Sequence, residues 1–164
     1  MTNQIVCYGC RLSLEHNDHM RRLTRACESC FNDLMTSRKA EIPQYLDALS
    51  HPAALVTPNN TVLVANKGFH SLQMDKTVVG RQVGDVLECM YAPLLGRCGE
   101  TVACILCALR RAVESTWSTG EGLRDVPVSY PHRVAARKTM NVTTERVADA
   151  VLVILESTSE GLSI

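Results

Sequence analysis

The sequence lacks an excess of charge of either sign, because 17 lysine and arginine residues balance 17 aspartate and glutamate residues. Proteins that bind nucleic acid by bulk electrostatics carry a basic surplus, so this mode of binding is not favoured. No apolar run approaches the roughly 20 residues of a membrane-spanning helix. The stretch from Met1 to Cys10 is polar, without the apolar region of a signal peptide. These absences predict a cytoplasmic protein that does not bind a membrane.

The sequence also lacks the common motifs of catalysis. It contains no G-x-G-x-x-G nucleotide motif, and its serine, histidine and aspartate residues show no triad spacing. These absences predict a protein that is not an enzyme. A thiol–disulfide redox protein stays open as an alternative, because the chain contains C-x2-C pairs, although that activity needs a reactive cysteine with a low pKa.

What the sequence does have is eight cysteines, which fall into two sets of four. The first set has the spacing C-x2-C-x16-C-x2-C, typical of a structural zinc site with four thiolate ligands. In a reducing compartment such pairs are metal ligands or redox dithiols more often than structural disulfides. The segment around this set has little apolar content and needs a metal to fold. We therefore predict zinc here, with redox dithiols as the alternative, and the ligands are Cys7, Cys10, Cys27 and Cys30.

The second set has the spacing C-x8-C-x5-C-x2-C and comprises Cys89, Cys98, Cys104 and Cys107. Four thiolates hold one iron–sulfur cluster or fill the shell of one metal ion, so we predict an iron–sulfur cluster or a second metal. A reversible dithiol switch and inert, buried cysteines are the alternatives. Periodicity predicts one helix over Thr101–Thr119, with the cysteines facing outward, opposite an apolar stripe of Val102, Leu106, Leu109, Val113 and Trp117.

Arg110 and Arg111 follow the second set directly. Positive charge beside a thiolate favours the ionised sulfur, and it would also favour an anionic cluster. The same two residues fit equally well on a solvated helix face, so the sequence leaves the role of this pair open.

Apolar periodicity divides the chain into helices and strands. Phe31–Leu49 has helical periodicity that Pro43 interrupts, which predicts two helical pieces or one kinked helix. Helices are also predicted between the second and third strands, at Asn66–Met74, Val79–Cys89 and Thr101–Thr119. Short apolar runs predict five strands, at Ala53–Val56, Val62–Ala65, Leu123–Tyr130, Val134–Thr143 and Ala148–Leu155. The last strand is apolar on both faces and should be central. This order predicts an α+β fold, a five-stranded antiparallel sheet with helices on one face.

The same pattern divides the chain into four parts. They are a small metal-stapled finger at 1–31, a helical linker at 32–50, the sheet domain at 51–157 and a tail at 158–164. The apolar residues of the linker exceed what the edge of one small domain needs to cover. Because exposed apolar patches usually mark contacts, we predict a homodimer through Phe31–Leu49.

The order of elements resembles the PAS fold, and local residues agree with it. The stretch Tyr45–Val56 is similar to the usual start of a PAS core, Val64–Phe69 to its strand–Asn–helix passage, and Val78–Val86 to its glycine-bearing approach to the next helix. The resemblance covers about residues 41–157. PAS domains are sensory or interaction modules, so the resemblance implies signalling rather than catalysis.

A narrower resemblance lies within this one. Cys89, the loop Arg97–Thr101 and the pair formed by Cys104 and Cys107 resemble a cysteine-bearing subset of bacterial PAS domains. That subset carries a cysteine, a Gly-Cys-Gly-x-Thr loop and a C-x2-C pair, and Arg97 stands where it has the first glycine. These domains are often attached to histidine kinases or other signalling outputs. The resemblance therefore implies a signalling partner for this chain, such as a histidine kinase or a regulator.

Together, the residues and the resemblance predict a non-enzymatic sensor that responds to redox state, oxygen or metal and passes its state to a partner protein. The alternative from another class is a DNA-binding transcriptional regulator, with the zinc finger contacting DNA. Arg21, Arg22 and Arg25, beside Cys27, are the basic residues that such a regulator would use. A solvated loop is favoured over this use, because the chain as a whole is neutral.

Overall fold

The computed structural model describes residues 4–14, 19–73, 77–92 and 97–157. Some sequence predictions concern residues outside these ranges, namely the helix end at Met74, part of the loop between Cys89 and Cys98, and the tail at 158–164. Among the described residues, none of the helices has the length and apolar character needed to cross a membrane.

Short helices make up the N-terminal part of the chain. They are α1 His19–Thr24, α2 Glu28–Thr36, a 3-10 turn at Lys39–Glu41 and α3 Ile42–Asp47. Pro43 lies in the first turn of α3, where a missing N–H costs no hydrogen bond. It therefore begins a new helix rather than kinking a long one. The predicted division of Phe31–Leu49 into two helical pieces is confirmed.

Five strands follow, and they form one antiparallel sheet in the order β2-β1-β5-β4-β3. The strands are β1 Ala53–Val56, β2 Val62–Ala65, β3 Leu123–His132, β4 Ala136–Val147 and β5 Ala150–Ser157. Between β2 and β3 lie the helices α4 Lys67–His70, α5 Val83–Val86, α6 Val102–Ile105 and α7 Ala108–Thr119. The predicted α+β fold and five-stranded sheet are confirmed, and β5 is the central strand, as its two apolar faces predict.

The central strands bury side chains on both faces of the sheet. Leu152 and Ile154 of β5 pack in one core with residues of α2 and α3, whereas Val151 and Val153 pack in a second core with residues of α5 and α7. Strand β1 alternates in the same way. The helices after β2 thus cover one face, and the N-terminal segment covers the other.

All the apolar residues that give the linker its helical periodicity are buried within a single chain: Phe31, Leu34, Met35, Ile42, Tyr45, Leu46 and Leu49. They belong to the first core, together with side chains from β1 and β5. The apolar surplus that suggested a dimer interface is therefore absent from this segment. A homodimer stays a prediction, without the Phe31–Leu49 surface as its basis.

The predicted helices between β2 and β3 are shorter than expected or broken. The single helix over Thr101–Thr119 is wrong, because α6 ends at Ile105 and α7 begins only after an extended Cys107. The error comes from the apolar stripe, since Val102 and Leu106 are 79% and 76% exposed and belong to no core. The buried stripe starts at Leu109, within α7.

Strand β3 lies at the edge of the sheet and contains two prolines, Pro127 and Pro131. The carbonyl of Pro131 accepts a hydrogen bond from the N–H of Met90, on the side away from β4. The N–H and C=O of one residue in a strand point the same way, so both prolines lack a donor on the free edge. The pairing of β3 with β4 loses no hydrogen bond to them.

Asn66 joins the N-terminal helices to the sheet. Its Oδ1 accepts hydrogen bonds from the N–H groups of Ala53 and Phe69, at 3.0 and 2.9 Å. Its Nδ2 donates to the carbonyls of Leu46 and His51, at 2.9 and 2.8 Å. The residue is 2% exposed, and its amide uses both donors and both acceptor positions. One side chain thus connects the end of α3, the start of β1 and the first turn of α4.

Replacing Asn66 with aspartate should destabilise the fold by about 2–4 kcal/mol, because a carboxylate cannot donate to the buried carbonyls of Leu46 and His51. Urea unfolding followed by circular dichroism measures the change. The control is the same substitution at Asn32, which is exposed on α2 and should shift the free energy of unfolding by less than about 0.5 kcal/mol. Equal midpoints for the two variants would contradict the role given to Asn66.

Candidate functional site

The four cysteines of the first set come together in space. Their sulfur atoms all lie within 4.8 Å of one another, and the Sγ of Cys27 lies 3.7 Å from that of Cys7 and 4.0 Å from that of Cys10. Four sulfurs placed tetrahedrally at about 2.3 Å from one ion are about 3.8 Å apart. The geometry therefore fits a single metal ion, and the four residues are close enough to bind one.

Two local structures present these sulfurs. Cys7 and Cys10 lie on a tight hairpin, closed by pairing of Val6 with Ser13 and by the hydrogen bond from the N–H of Cys7 to the carbonyl of Leu12. Cys27 is the N-cap residue of α2, and Cys30 lies in its first turn. The second pair thus begins α2, and Ser37 caps its C-terminal end.

Gly9 is required by a close approach rather than by an unusual backbone angle. A Cβ at this position would lie 2.8 Å from both the Cβ and the Sγ of Cys30. The left-handed residue of the hairpin is Arg11, with φ of 65°. The space that glycine leaves is thus the space in which the two cysteine pairs meet.

The crowded thiols favour different protonation states. Burial raises the pKa of Cys7, but backbone N–H groups, that of Cys27 foremost, donate to its sulfur and bring the pKa down to about 6. A hydrogen bond with Cys27, together with burial, raises the pKa of Cys30 to about 12. Four thiolates cannot accumulate here without a compensating cation, which is the condition that a bound metal satisfies.

The first set is joined through Cys7 to a core that contains side chains of the sheet. Cys7 is fully buried, and Phe31 and Tyr45 pack beside it in the same core as Leu152 of β5. The Tyr45 ring makes edge contacts with Tyr8 and Phe31, at centroid distances of 5.5 and 6.1 Å. Its hydroxyl donates to the carbonyl of Thr24. The aromatic side chains thus connect the cysteines of the first set to the central strands.

The four cysteines of the second set line one cavity of about 280 Å³. Its wall is formed by the N-terminal end of α7, Gly84 of α5 and the edge strand β3, with Leu109, Val128 and Tyr130 among the lining residues. The prediction that Cys104 and Cys107 face outward from one long helix is wrong. The break between α6 and α7 turns the chain at Cys107, and Cys104 is buried at 8% exposure.

The second set is more widely spaced than the first. Among the described residues, which include all eight cysteines, only the first set has three or more ligand atoms within 4.8 Å of one another. No three sulfurs of the second set are therefore that close. The arrangement surrounds a volume larger than that of a single ion.

Two glycines allow the loop that carries Cys98 to pack against the cavity wall. A Cβ on Gly84 of α5 would lie 2.4 Å from the Sγ of Cys98. Gly99 has φ of +94°, and a Cβ there would lie 2.3 Å from Nη2 of Arg110. Sequence reasoning missed Gly84. Its signal was a glycine within a short helical segment, where this residue is otherwise unfavourable.

The sulfurs of the second set differ in their surroundings. The Sγ of Cys104 lies 3.1 Å from both the N–H of Gly99 and the hydroxyl of Thr101. Burial raises the pKa of Cys104, but these donors together lower it by more, so the pKa falls below its usual value. Burial raises the pKa of Cys98 to about 11, against the opposing effects of the Gly84 backbone and Arg110. Cys104 thus forms a thiolate more readily than Cys98 does.

Two of the solved structures to which the chain is similar are the following. One is the PAS domain of an HTR-like protein from Haloarcula marismortui, with a TM-score of 0.46 and 12% identity over 74% of this chain and 97% of that one. The other is the photoactive yellow protein domain of the sensor histidine kinase Ppr from Rhodospirillum centenum, with a TM-score of 0.46 and 16% identity over 68% and 89%. No family model matches the chain, and no curated protein matches it.

Replacing Gly9 with alanine should weaken metal binding at the first set by about tenfold or more, because the added Cβ displaces the sulfur of Cys30. Competition with a chromogenic zinc chelator measures the loss. The matched control is Gly68→Ala, where the nearest atom to the added Cβ is 3.4 Å away. If both variants held zinc as tightly as the original chain, the close approach at Gly9 would not contribute to metal binding.

Removal of metal from the first set should destabilise the sheet as well as the N-terminal segment, because both contribute to one core. Hydrogen exchange, compared before and after treatment with a strong chelator, should show faster exchange in β1 and β5. Re-addition of zinc should restore protection. Strands that stay fully protected while residues 4–14 lose protection would show that the two parts fold separately.

Proposed function

We propose that this chain is a non-enzymatic sensor in which the first cysteine set holds a structural zinc ion and the second holds a redox-active or exchangeable group. The state of the second site is passed to a partner protein. The observation that carries this proposal is the convergence of four free cysteines from separate segments on one cavity.

Zinc suits the first set for two reasons. The sulfur–sulfur distances match those around one tetrahedral ion. Cys7 also belongs to the core, and Cys27 and Cys30 pack against it, so metal binding would contribute directly to folding, as it does in small zinc-dependent domains. A zinc ion has no redox chemistry of its own and suits a structural role.

An iron–sulfur cluster suits the second set better than a single ion does. The sulfurs are spread around a cavity of about 280 Å³, and a cluster places several atoms between its thiolate ligands. Bound there, it would supply reversible one-electron chemistry. Cys89, Cys98, Cys104 and Cys107 would hold it, and Thr101 would fix the orientation of Cys104 through its hydrogen bond.

The position of the second site suits signalling. Its cysteines connect α6, α7 and the segment after α5, and the isolated pairing of Cys89 with His132 fixes that segment to β3. A change of ligation would release the loop that carries Cys98. The sequence resemblance to cysteine-bearing bacterial PAS domains supports a signalling protein, such as a histidine kinase or a regulator, as the receiver.

A reversible dithiol switch is the second candidate for the same cavity. The observation that favours it is the contrast between Cys104, whose pKa is lowered by its hydrogen-bond donors, and Cys98, whose pKa burial raises to about 11. A thiolate beside a protonated thiol is the arrangement from which a disulfide forms when an oxidant is present.

The contacts of Arg21 and Arg25 argue against the DNA-binding alternative. Nη1 of Arg25 donates to the carbonyl of Ala48 at 2.8 Å, and Arg21 lies 3.7 Å from the carboxylate of Glu28. These two arginines are used within the fold, so they do not form a free basic surface.

Protein purified without oxygen should contain one zinc per chain, with iron and sulfide in addition. Single Cys→Ser substitutions at Cys89, Cys98, Cys104 or Cys107 should each abolish the same visible absorption band while zinc content is kept. The reciprocal control is Cys10→Ser, which should reduce zinc content and leave the band. If the protein contained no iron and the second set titrated as a two-electron thiol–disulfide couple, the result would favour the dithiol switch over the cluster.

A further inference from the structure

Two adjacent arginines at the start of α7 have different environments. Arg111 is exposed, whereas Arg110 is half-buried and lines the cysteine cavity. Nη2 of Arg110 lies 3.3 Å from Oε1 of Gln82 and 3.5 Å from the carbonyl oxygen of Asn59. These contacts hold the guanidinium between the cavity and the turn that joins β1 to β2. The structure thus separates two residues that the sequence left equivalent.

The guanidinium of Arg110 packs against the loop that carries Cys98 and Gly99. It occupies the space beside Gly99, where any side chain on that residue would collide with Nη2. It also lowers the pKa of the Cys98 thiol, against the larger effect of burial, which raises it. Buried Nε of Arg110 has no hydrogen-bond partner within the part of the chain that the structure describes. A buried donor without an acceptor is costly, and one provided by a bound group would remove that cost.

We propose that Arg110 is the counter-charge of the second cysteine site, so that the site selects an anionic, thiolate-ligated group and Arg110 sets its affinity and reduction potential. This inference rests on the proposed function of the site. Four thiolates carry four negative charges, which exceed the charge of a divalent metal ion and leave a ligated group that is negative overall. Arg110 is a positioning residue here, because it acts through the charge and the hydrogen bonds of the ligand sulfurs.

The sign of the effect on the reduction potential follows from electrostatics. One-electron reduction adds a negative charge to the group, and a nearby guanidinium stabilises the reduced form more than the oxidised form. Loss of that charge therefore makes the potential more negative. Arg110 also contacts the β1–β2 turn, so a change of charge at the site would alter the strength of that contact.

The test compares Arg110→Gln, Arg110→Lys and Arg111→Gln in the full chain purified without oxygen. Iron retention against a ferrous chelator and the potential from a dithionite titration are measured, with zinc content and circular dichroism as checks of folding. Arg110→Gln should release iron at a chelator concentration at least about tenfold lower than the original chain does. It should also shift the reduction potential to more negative values. Arg110→Lys should recover the potential, and Arg111→Gln should match the original chain.

Three outcomes overturn the inference, and they differ in meaning. If the original chain holds no thiolate-bound metal in the second set, both the proposed function and the inference fail. If Arg110→Gln behaves like Arg111→Gln, the proposed function stands and Arg110 has no such role. If Arg110→Lys loses iron and potential as fully as Arg110→Gln, the role of Arg110 is the shape of its side chain and not its charge.

Discussion

The constraint on which this structure depends is that the central strands are apolar on both faces. In β1, Leu55 enters one core and Val56 the other, and β5 repeats the alternation. A sheet of this kind must be covered twice. The helices after β2 provide one cover, and the N-terminal segment provides the second through the buried apolar residues of 31–49. Cys7 belongs to the same core, and Tyr8, Cys27 and Cys30 pack against it.

The two cysteine sets solve different physical problems. The first is compact, with one member fully buried and its neighbours packed against the sheet, so its geometry is fixed by the surrounding core. The second surrounds an open volume and is held by hydrogen bonds to a loop and by close packing on Gly84. In the proposed sensor, the site that holds its shape and the site that changes state would therefore lie in different parts of one chain. This division fits the proposed sensor.

Much of this could be predicted from the sequence where a local pattern has one physical solution. The spacing of Cys7, Cys10, Cys27 and Cys30 predicts their convergence, and the two apolar faces of β5 predict its central position. The path around Cys104 and Cys107 could not be predicted, because Val102 and Leu106 match the helical period of α7 yet are exposed. The distinction between Arg110 and Arg111 depends on the turn after β1 and on Gln82, which are distant in sequence.

The prolines of β3 have a consequence beyond this chain's own sheet. A sheet edge recruits another chain by offering backbone donors at every second residue, and uncontrolled recruitment of this kind produces aggregates. At Pro131 the outer edge of β3 is already paired with the segment after α5, through the N–H of Met90, and at Pro127 it has no donor to offer. A foreign strand aligned there would meet that segment at one end of the stretch and a position without a donor at the other, and on this edge only Ser129 between them retains its N–H. The edge is thereby protected against open-ended growth by its composition and by the segment after α5.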